Sequence, residues 1–397
     1  MGFYNKDKNN LSFDIVVVGA GPTGIAFASG FADTKIKVPI IEKSPKEVIA
    51  NPKIDGREIA LTHHSVEVLK KLKVWSQISN KSISTIKEAR VLDGDSKYFL
   101  NFDHEEIKKD CLGYLIPNYI IKKIFYKRLK KLPNVTLINK TECLSVNVDK
   151  EFASIKLSNG KKIKASLVVA ADSRFSKMRS KMGISAFSSN FNKNMIVCRM
   201  EHEKPHQNIA YEFFRYNETQ ASLPYIKNQS GIITTANKDI TSALMNMDNK
   251  KFNRKMENSF NNFFGKMRLI GKRHSYPMIT TYAKKFVSQR FAVIGDAAVG
   301  MHPVTAQGFN LGLKGLEILI NEIKIAKKNK TDIGSMYVLG DYQSKLHRVA
   351  APIYLSTNSI INLYTSTILP AKLTRQFILR FVNSVRPVKQ TFLNILK

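Results

Sequence analysis

The sequence predicts an α/β fold in which a mostly parallel sheet is interrupted by an antiparallel region, and three observations predict it. A β-branched run at residues 13–18 enters the cluster Gly19-Ala20-Gly21-Pro22-Thr23-Gly24 and then a small-residue stretch to Ala32, which reads as strand, tight turn and helix. A late apolar run at 291–295 ends in Asp296 and leads to a helical stretch at 308–326. Between them, from about Met195 to Tyr276, the chain alternates, as at 196–200 and 209–213, which suits an antiparallel sheet.

The remaining elements follow in order. Residues 38–41 form a second apolar run that ends in Glu42, although Pro39 inside it cannot donate to a ladder. Residues 118–131 place Ile121, Ile124, Phe125 and Leu129 on one helical face with lysines opposite. Short strands are expected at 135–138, 143–148 and 153–157, then a turn at Asn159-Gly160 and a strand at 167–171. The last segment, 371–397, is apolar and basic.

Composition narrows the class. The chain has 397 residues, of which 43% are hydrophobic and 24% charged, an ordinary globular balance. No apolar run approaches the roughly 18–20 residues of a membrane-spanning helix, and Met1 to Asn10 is polar, unlike a signal peptide. The cysteines, Cys111, Cys143 and Cys198, are few and widely separated, which argues against a disulfide framework or a thiolate metal site and for a reducing, cytoplasmic setting. The net charge of +32 would suit a nucleic acid or an anionic membrane surface. It would equally follow from a genome rich in A and T that over-uses Lys, Asn and Ile. The lysines are spread along the whole chain without a zinc finger, an RNA-recognition signature or an arginine-rich arm, so nucleic acid is not an expected partner.

The glycine cluster carries the first chemistry. Gly19 permits the tight turn, Gly21 lets backbone approach a pyrophosphate, and Gly24 lets helix and strand pack closely. The helix start offers free N–H groups to phosphates. Glu42, about 20 residues on, can accept from both hydroxyls of a ribose. The segment 168–173, Val-Val-Ala-Ala-Asp-Ser, ends a strand in Asp172, which alone is a common strand terminus. The third motif joins Gly295-Asp296-Ala297-Ala298 to His302-Pro303 and Gln307-Gly308-Phe309-Asn310-Leu311-Gly312, and delivers Asp296 to the sheet edge where ligands bind in open α/β sheets.

Together these motifs resemble the FAD-dependent aromatic hydroxylases. The segment 55–62, Asp-Gly-Arg-Glu-Ile-Ala-Leu-Thr, narrows the resemblance to the ubiquinone-biosynthesis hydroxylases (the UbiH/UbiF/VisC family). The stretches 170–176, 197–206 and 295–313 point to its UbiM-type branch. The resemblance implies a Rossmann-like FAD-binding domain of the aromatic-hydroxylase type, formed by 1–75, 112–184 and 285–345. It further implies an inserted antiparallel-sheet substrate domain, 76–111 and 185–284, and a C-terminal helical region, 346–397. The implied cofactor is FAD, with O2 and NAD(P)H or another electron donor as co-substrates. The implied reaction is hydroxylation of a polyprenylated quinol or phenol, 5-demethoxyubiquinol above all, through a flavin C4a-hydroperoxide.

Carried onto this sequence, the resemblance makes Gly19, Gly21 and Gly24 the pyrophosphate loop, with Glu42 and Lys43 at the adenosine ribose. Arg57 would sit by the flavin diphosphate or ring, and Asp172 in the motif that contacts FAD and NAD(P)H. Gly295 and Asp296 would meet the ribityl or diphosphate region, and Pro303, Gln307, Gly308 and Asn310 would line the ring. Three positions depart from the family. Ser173 and Ala306 stand where glycine is usual, and Val299 where histidine is. No catalytic base stands out; His302, inside the flavin motif, is the best of the histidines, although a lone histidine is more often structural.

Tyr211, Phe213, Phe214 and Tyr276-Pro277 would wall the substrate pocket, or equally pack a core. Leu373, Phe377 and Phe381, interleaved with Lys372, Arg375, Arg380, Arg386 and Lys389, fit a basic amphipathic helix on the inner membrane surface, or one packed on the FAD domain. Other ubiquinone-biosynthesis proteins are expected as further partners. The competing readings are a flavin-dependent reductase or prenyl-chain saturase of the same fold, and a non-catalytic flavin-binding assembly subunit.

Overall fold

The structure is a computed structural model and describes residues 11–94, 98–215, 218–302, 307–365, 382–383 and 389–390. Its first sheet is built around the strand Leu11–Val18, whose last four residues are buried. This strand pairs in parallel with Lys162–Ala170 on one side and Ile40–Ile41 on the other. Leu137–Ile138 extends one flank and Phe291–Val293 the other, both in parallel. In chain order the parallel core therefore runs third, second, first, fourth, fifth, the doubly wound order that reverses at the first strand. Cys143–Val148, Ala153–Leu157 and Val287–Ser288 add antiparallel pairs at its margins.

Pro39 finds a simple solution. The second strand begins one residue later, and the Pro39 carbonyl accepts from Val17 N at 3.0 Å without a donor being required in return. Helices Pro22–Ser29, Asn118–Leu129, Gln307–Lys328 and Met336–Thr365 cover this sheet. Two of them approach closely, because a Cβ on Gly30 would lie 2.3 Å from Ile320 Cδ1. Tyr342, fully buried, ties the last helix to the sheet by donating to Val293 O at 2.8 Å.

The second sheet orders Val299–Gly300, Met267–Ala283, Ala186–His202, Gln229–Asn237, Glu218–Pro224, Ile209–Arg215, Glu88–Asp93 and Phe99–Asp103. All neighbours are antiparallel except Ile209–Arg215 with Glu88–Asp93. The expected strand at 196–200 is the middle of a longer one, Ala186–His202. Its early half is polar and largely exposed, so strand there is fixed by pairing with Met267–Ala283 and leaves no apolar alternation. One face of the sheet packs Ile196, Cys198, Met200 and Phe213 against Leu244, Phe252, Met256 and Phe260 of the helices Lys238–Asn246 and Asn249–Ser259 and the turn after them. The other face meets the segment of Gly56 and Glu58. A third, small sheet joins Glu58–Leu61, Gly113–Pro117 and Ser84–Ile86.

The small sheet meets the second sheet at a polar junction. Glu58, its side chain 2% exposed, holds Arg199 at 2.8 Å, and the Arg199 guanidinium lies 3.9 Å over the Tyr225 ring. Glu58 lies so close to the neighbouring strand that a Cβ on Gly231 would be 1.6 Å from Glu58 Oε2. Burial raises the Glu58 carboxyl above its ordinary value, while Arg199 pulls it back.

In the C-terminal segment, Leu373, Phe377, Phe381, Lys372, Arg375, Arg380 and Arg386 lie outside the described residues. Of the rest, Val382 is buried beside Leu100 and Phe214, and Lys389 pairs with Glu106 at 2.8 Å.

Removing one partner of a buried ion pair leaves the other charge uncompensated. Arg199→Met is expected to lower the unfolding free energy by roughly 3–5 kcal/mol in chemical denaturation. The double variant Arg199→Met with Glu58→Leu should recover most of that loss. An unchanged midpoint in the single variant would show that the pair does not hold the sheets together.

Candidate functional site

Three glycine contacts assemble the site at the carboxyl edge of the parallel strands. Gly19 has φ +110, and a Cβ there would lie 2.4 Å from Ala171 O at the end of the adjoining strand. A Cβ on Gly24 would stand 2.0 Å from Gly19 O, so the helix start is pressed onto the strand end. Gly295, with φ +59, leans on Thr23, and a Cβ on Gly312 would be 3.5 Å from the Gly295 Cα. The early and late motifs, remote in sequence, thus share one edge.

Gly21 behaves differently. A Cβ on it would meet nothing within 4 Å, and its φ of −70 is open to any residue. The helix that follows has no side-chain cap and no acidic residue in its first turn. This is an open cradle above uncapped N–H groups, the arrangement that a pyrophosphate fills. The cradle fits FAD.

Glu42 stands beside the loop, where its Oε2 accepts from Ala20 N at 2.8 Å and its Oε1 from Ser44 N at 2.8 Å. Each oxygen keeps lone pairs for a further donor. Lys43 is exposed next to it. Asp172 accepts from Ser176 Oγ and, at 3.1 Å, from Met178 N, so its carboxylate organises the short helix Lys177–Lys181. Asp296, its side chain 46% exposed, lies 3.4 Å from Arg174 Nη2, which also donates to Met301 O at 3.1 Å. Arg174 lies between the second and third motifs, a role that no local sequence signal marks.

Arg57 projects from the turn between the sheets. It pairs with Asp55 at 2.8 Å and lies 5.0 Å over the Tyr276 ring, while its Nε is buried with no hydrogen-bond partner. Asp55 also accepts from Asn118 at 2.7 Å and from Lys122 at 3.1 Å. Burial works against ionisation of Asp55, but Arg57, Asn118 and Lys122 together hold it below its ordinary value. Tyr276 Oη donates to Asp55 O at 2.7 Å, which locks the turn onto the antiparallel sheet.

Of the ring-lining set, Pro303 and the departure Ala306 lie outside the described residues. Gln307 is buried and Gly308 lies against Met301. The Asn310 side chain works within the scaffold. Its Oδ1 accepts from Thr62 N at 3.1 Å and Ser65 Oγ at 2.6 Å, and its Nδ2 donates to Ala60 O at 2.9 Å. His302 is buried, with Phe191 edge-on at 5.3 Å. Burial, helped by Arg174 and Lys193, pushes it down to about 3, so at neutral pH it is uncharged and a weak base.

The aromatic residues expected to wall a pocket separate. Phe213 is fully buried against Phe260, with Tyr211 stacked on it, and Phe214 is buried by Leu100. Tyr276 alone among them reaches the Arg57 turn.

Two departures resolve. Ser173 takes φ +81, the left-handed backbone that a glycine would occupy, so the turn keeps its course at a cost of about 1 kcal/mol. Val299 is buried in the strand Val299–Gly300 and pairs with Tyr282.

The family described as FAD binding domain matches residues 12–352. The ubiquinone hydroxylase UbiM of Neisseria meningitidis is 40% identical over 385 residues, covering 96% of this chain and 84% of that one. This chain belongs to the FAD-dependent ubiquinone-hydroxylase family. The ubiquinone hydroxylase UbiL of Rhodospirillum rubrum is 30% identical over 381 residues, covering 96% and 88%. The fold is shared with p-nitrophenol 4-monooxygenase PnpA of Pseudomonas putida, at TM-score 0.78 and 16% identity over 98% of both chains. The chain is therefore an FAD-dependent monooxygenase. That class takes O2 and a reduced nicotinamide.

The glycines make separable predictions. Gly21→Ala should leave the melting temperature within about 2 °C of wild type while weakening FAD binding at least tenfold by titration, whereas Gly24→Ala should lower the melting temperature of the apoprotein itself. Equal effects in both variants would refute an open cradle at Gly21. Ser173→Gly should stabilise the protein by about 1 kcal/mol, read as a raised denaturation midpoint.

Proposed function

We propose that this monooxygenase hydroxylates the aromatic ring of a polyprenylated quinol or phenol intermediate in ubiquinone biosynthesis, 5-demethoxyubiquinol above all. The observation that carries the reading is the convergence of the glycine loop, Asp172 and the segment from Gly295 at one sheet edge, in a chain 40% identical to a ubiquinone hydroxylase over nearly its whole length.

Bound and reduced, FAD supplies the activation of O2 and the transfer of one oxygen atom to an electron-rich ring. The chain supplies the rest. The N–H groups at the start of Pro22–Ser29 would hold the pyrophosphate, with Gly19, Gly21 and Gly24 allowing its approach, and Glu42 would accept from the ribose with Lys43 nearby. Asp172, Gly295 and Asp296 would flank the middle of the cofactor, and Arg57, whose Nε–H has no partner, would be available to it. Gln307, Gly308 and the backbone of Asn310 would border the ring. Neutral, buried His302 helps exclude water from that end, which keeps activated oxygen from being lost to solvent.

A polyprenyl chain resides in a bilayer. No helix among the described residues is long and apolar enough to cross one. The charge of +32 and the basic apolar segment 371–397 support peripheral attachment to the anionic inner-membrane surface, where other ubiquinone-biosynthesis proteins would share the substrate.

The purified protein should be yellow and release FAD on denaturation. Expressed in a bacterium lacking its demethoxyubiquinol hydroxylase, it should restore ubiquinone in extracted lipids. Continued accumulation of the unhydroxylated precursor, with folded yellow protein present, would reject the substrate assignment.

A further inference from the structure

The helices that cover the antiparallel sheet carry a basic cleft on their outer side. In Asn249–Ser259, Phe252 and Met256 are buried against the sheet. Lys251, Arg254, Lys255 and Asn258, spaced three and four apart, share another face. With Ser259, and with Arg215 from the end of the strand Ile209–Arg215, they line an open cleft of about 480 Å³. These six residues, all among those described, hold four cations and no acid. Arg215 is fixed across the helix end, because its Nη2 donates to Ser259 O at 2.9 Å and to Asn261 Oδ1 at 3.1 Å. Lys251 meets Asp248 at 3.8 Å, too far for a hydrogen bond, and both side chains are exposed.

Like charges one helical turn apart repel, so Lys251, Arg254 and Lys255 together cost stability until something negative joins them. Two neighbours identify that partner. Phe263, in the turn that also holds Asn261, is 49% exposed, although its ring stacks 5.9 Å from that of Tyr211. Phe214, next to Arg215 in the chain, packs on Val382 of the basic apolar C-terminal segment. The cations, the exposed ring and that segment therefore gather around one end of the strand Ile209–Arg215. Phosphates attract the cations and a headgroup layer accommodates the ring, two demands that a lipid surface meets and a dissolved anion does not.

We propose that the cleft of Arg215, Lys251, Arg254 and Lys255, with Phe263 at its rim, is a docking surface for an anionic phospholipid membrane. The cations receive headgroup phosphates, and the Phe263 ring enters the headgroup layer. The proposal rests on the membrane reading given above. It adds a contact made by the folded antiparallel sheet and its helices, apart from the segment 371–397.

The test is co-sedimentation of the FAD-loaded full chain with vesicles of phosphatidylcholine alone or mixed with phosphatidylglycerol. Wild type should bind the mixed vesicles and leave the neutral ones. The double variant Arg254→Gln with Lys255→Gln should bind the mixed vesicles about tenfold more weakly or worse, with unchanged FAD content and melting temperature. Phe263→Ser should also weaken binding. Lys161→Gln with Lys162→Gln removes the same charge from exposed positions on the other sheet, and should change binding less than about twofold. Equal losses in the two double variants would overturn the proposal, since net charge alone would then explain them. Wild-type binding in the cleft variant would also overturn it and leave attachment to the segment 371–397. Wild type that ignores the mixed vesicles removes the membrane reading and the cleft's role together. Release from the vesicles by inorganic phosphate, but not by chloride at the same ionic strength, would mark a site for the free anion and overturn docking. A cleft variant that loses duplex DNA and keeps vesicles would do the same in favour of nucleic acid.

Discussion

The site depends on the contact of Gly24 with the carbonyl of Gly19. No side chain fits between them, so the first helix starts against the end of the central strand and its direction is fixed. Gly19 is pressed in turn on Ala171 of the next strand, and Gly295 on Thr23 in the helix's first turn. A line of backbone contacts therefore sets where the positive end of the helix points. That geometry costs little to maintain because it stores no ordered side chains, and it leaves the first N–H groups of the helix without a side-chain cap.

The junction with the second sheet is held differently. There the turn of Asp55, Gly56 and Arg57 is fastened by charge and hydrogen bonds, through Asn118, Lys122 and the Tyr276 hydroxyl, and Glu58 reaches Arg199 next to it. Apolar packing gives cohesion without direction, whereas these polar contacts hold only in one relative placement of the sheets.

What the sequence made legible follows from how local each signal is. The strand-turn-helix at Gly19 and the helix at Gln307–Lys328 are written in consecutive residues, and they form as read. The α/β class follows from the same runs. Harder to see were Glu88–Asp93 and Phe99–Asp103, short and half-polar strands that exist because Ile209–Arg215 offers them an edge. At the site, the motif glycines announce themselves by type, since each fills a place that a Cβ would spoil. Arg174 and Glu58 with Arg199 gave no such sign. Their meaning lies in partners far along the chain, which is not a property of neighbouring residues. Asn310 shows the converse: a motif residue whose side chain serves the scaffold.

The cross-stitching of the two sheets bears on how the molecule can be made. The parallel sheet needs Phe291–Val293 to complete its edge, and the antiparallel sheet borrows Glu88–Asp93 from the first quarter of the chain and Val299–Gly300 from the last. No contiguous half closes either layer. Long loops must be drawn together before the native pairs reward it, so a nascent chain leaves the ribosome with open strand edges until about three-quarters of it has emerged. Such a topology favours slow maturation and reliance on chaperones, and it resists being divided into independently folding fragments.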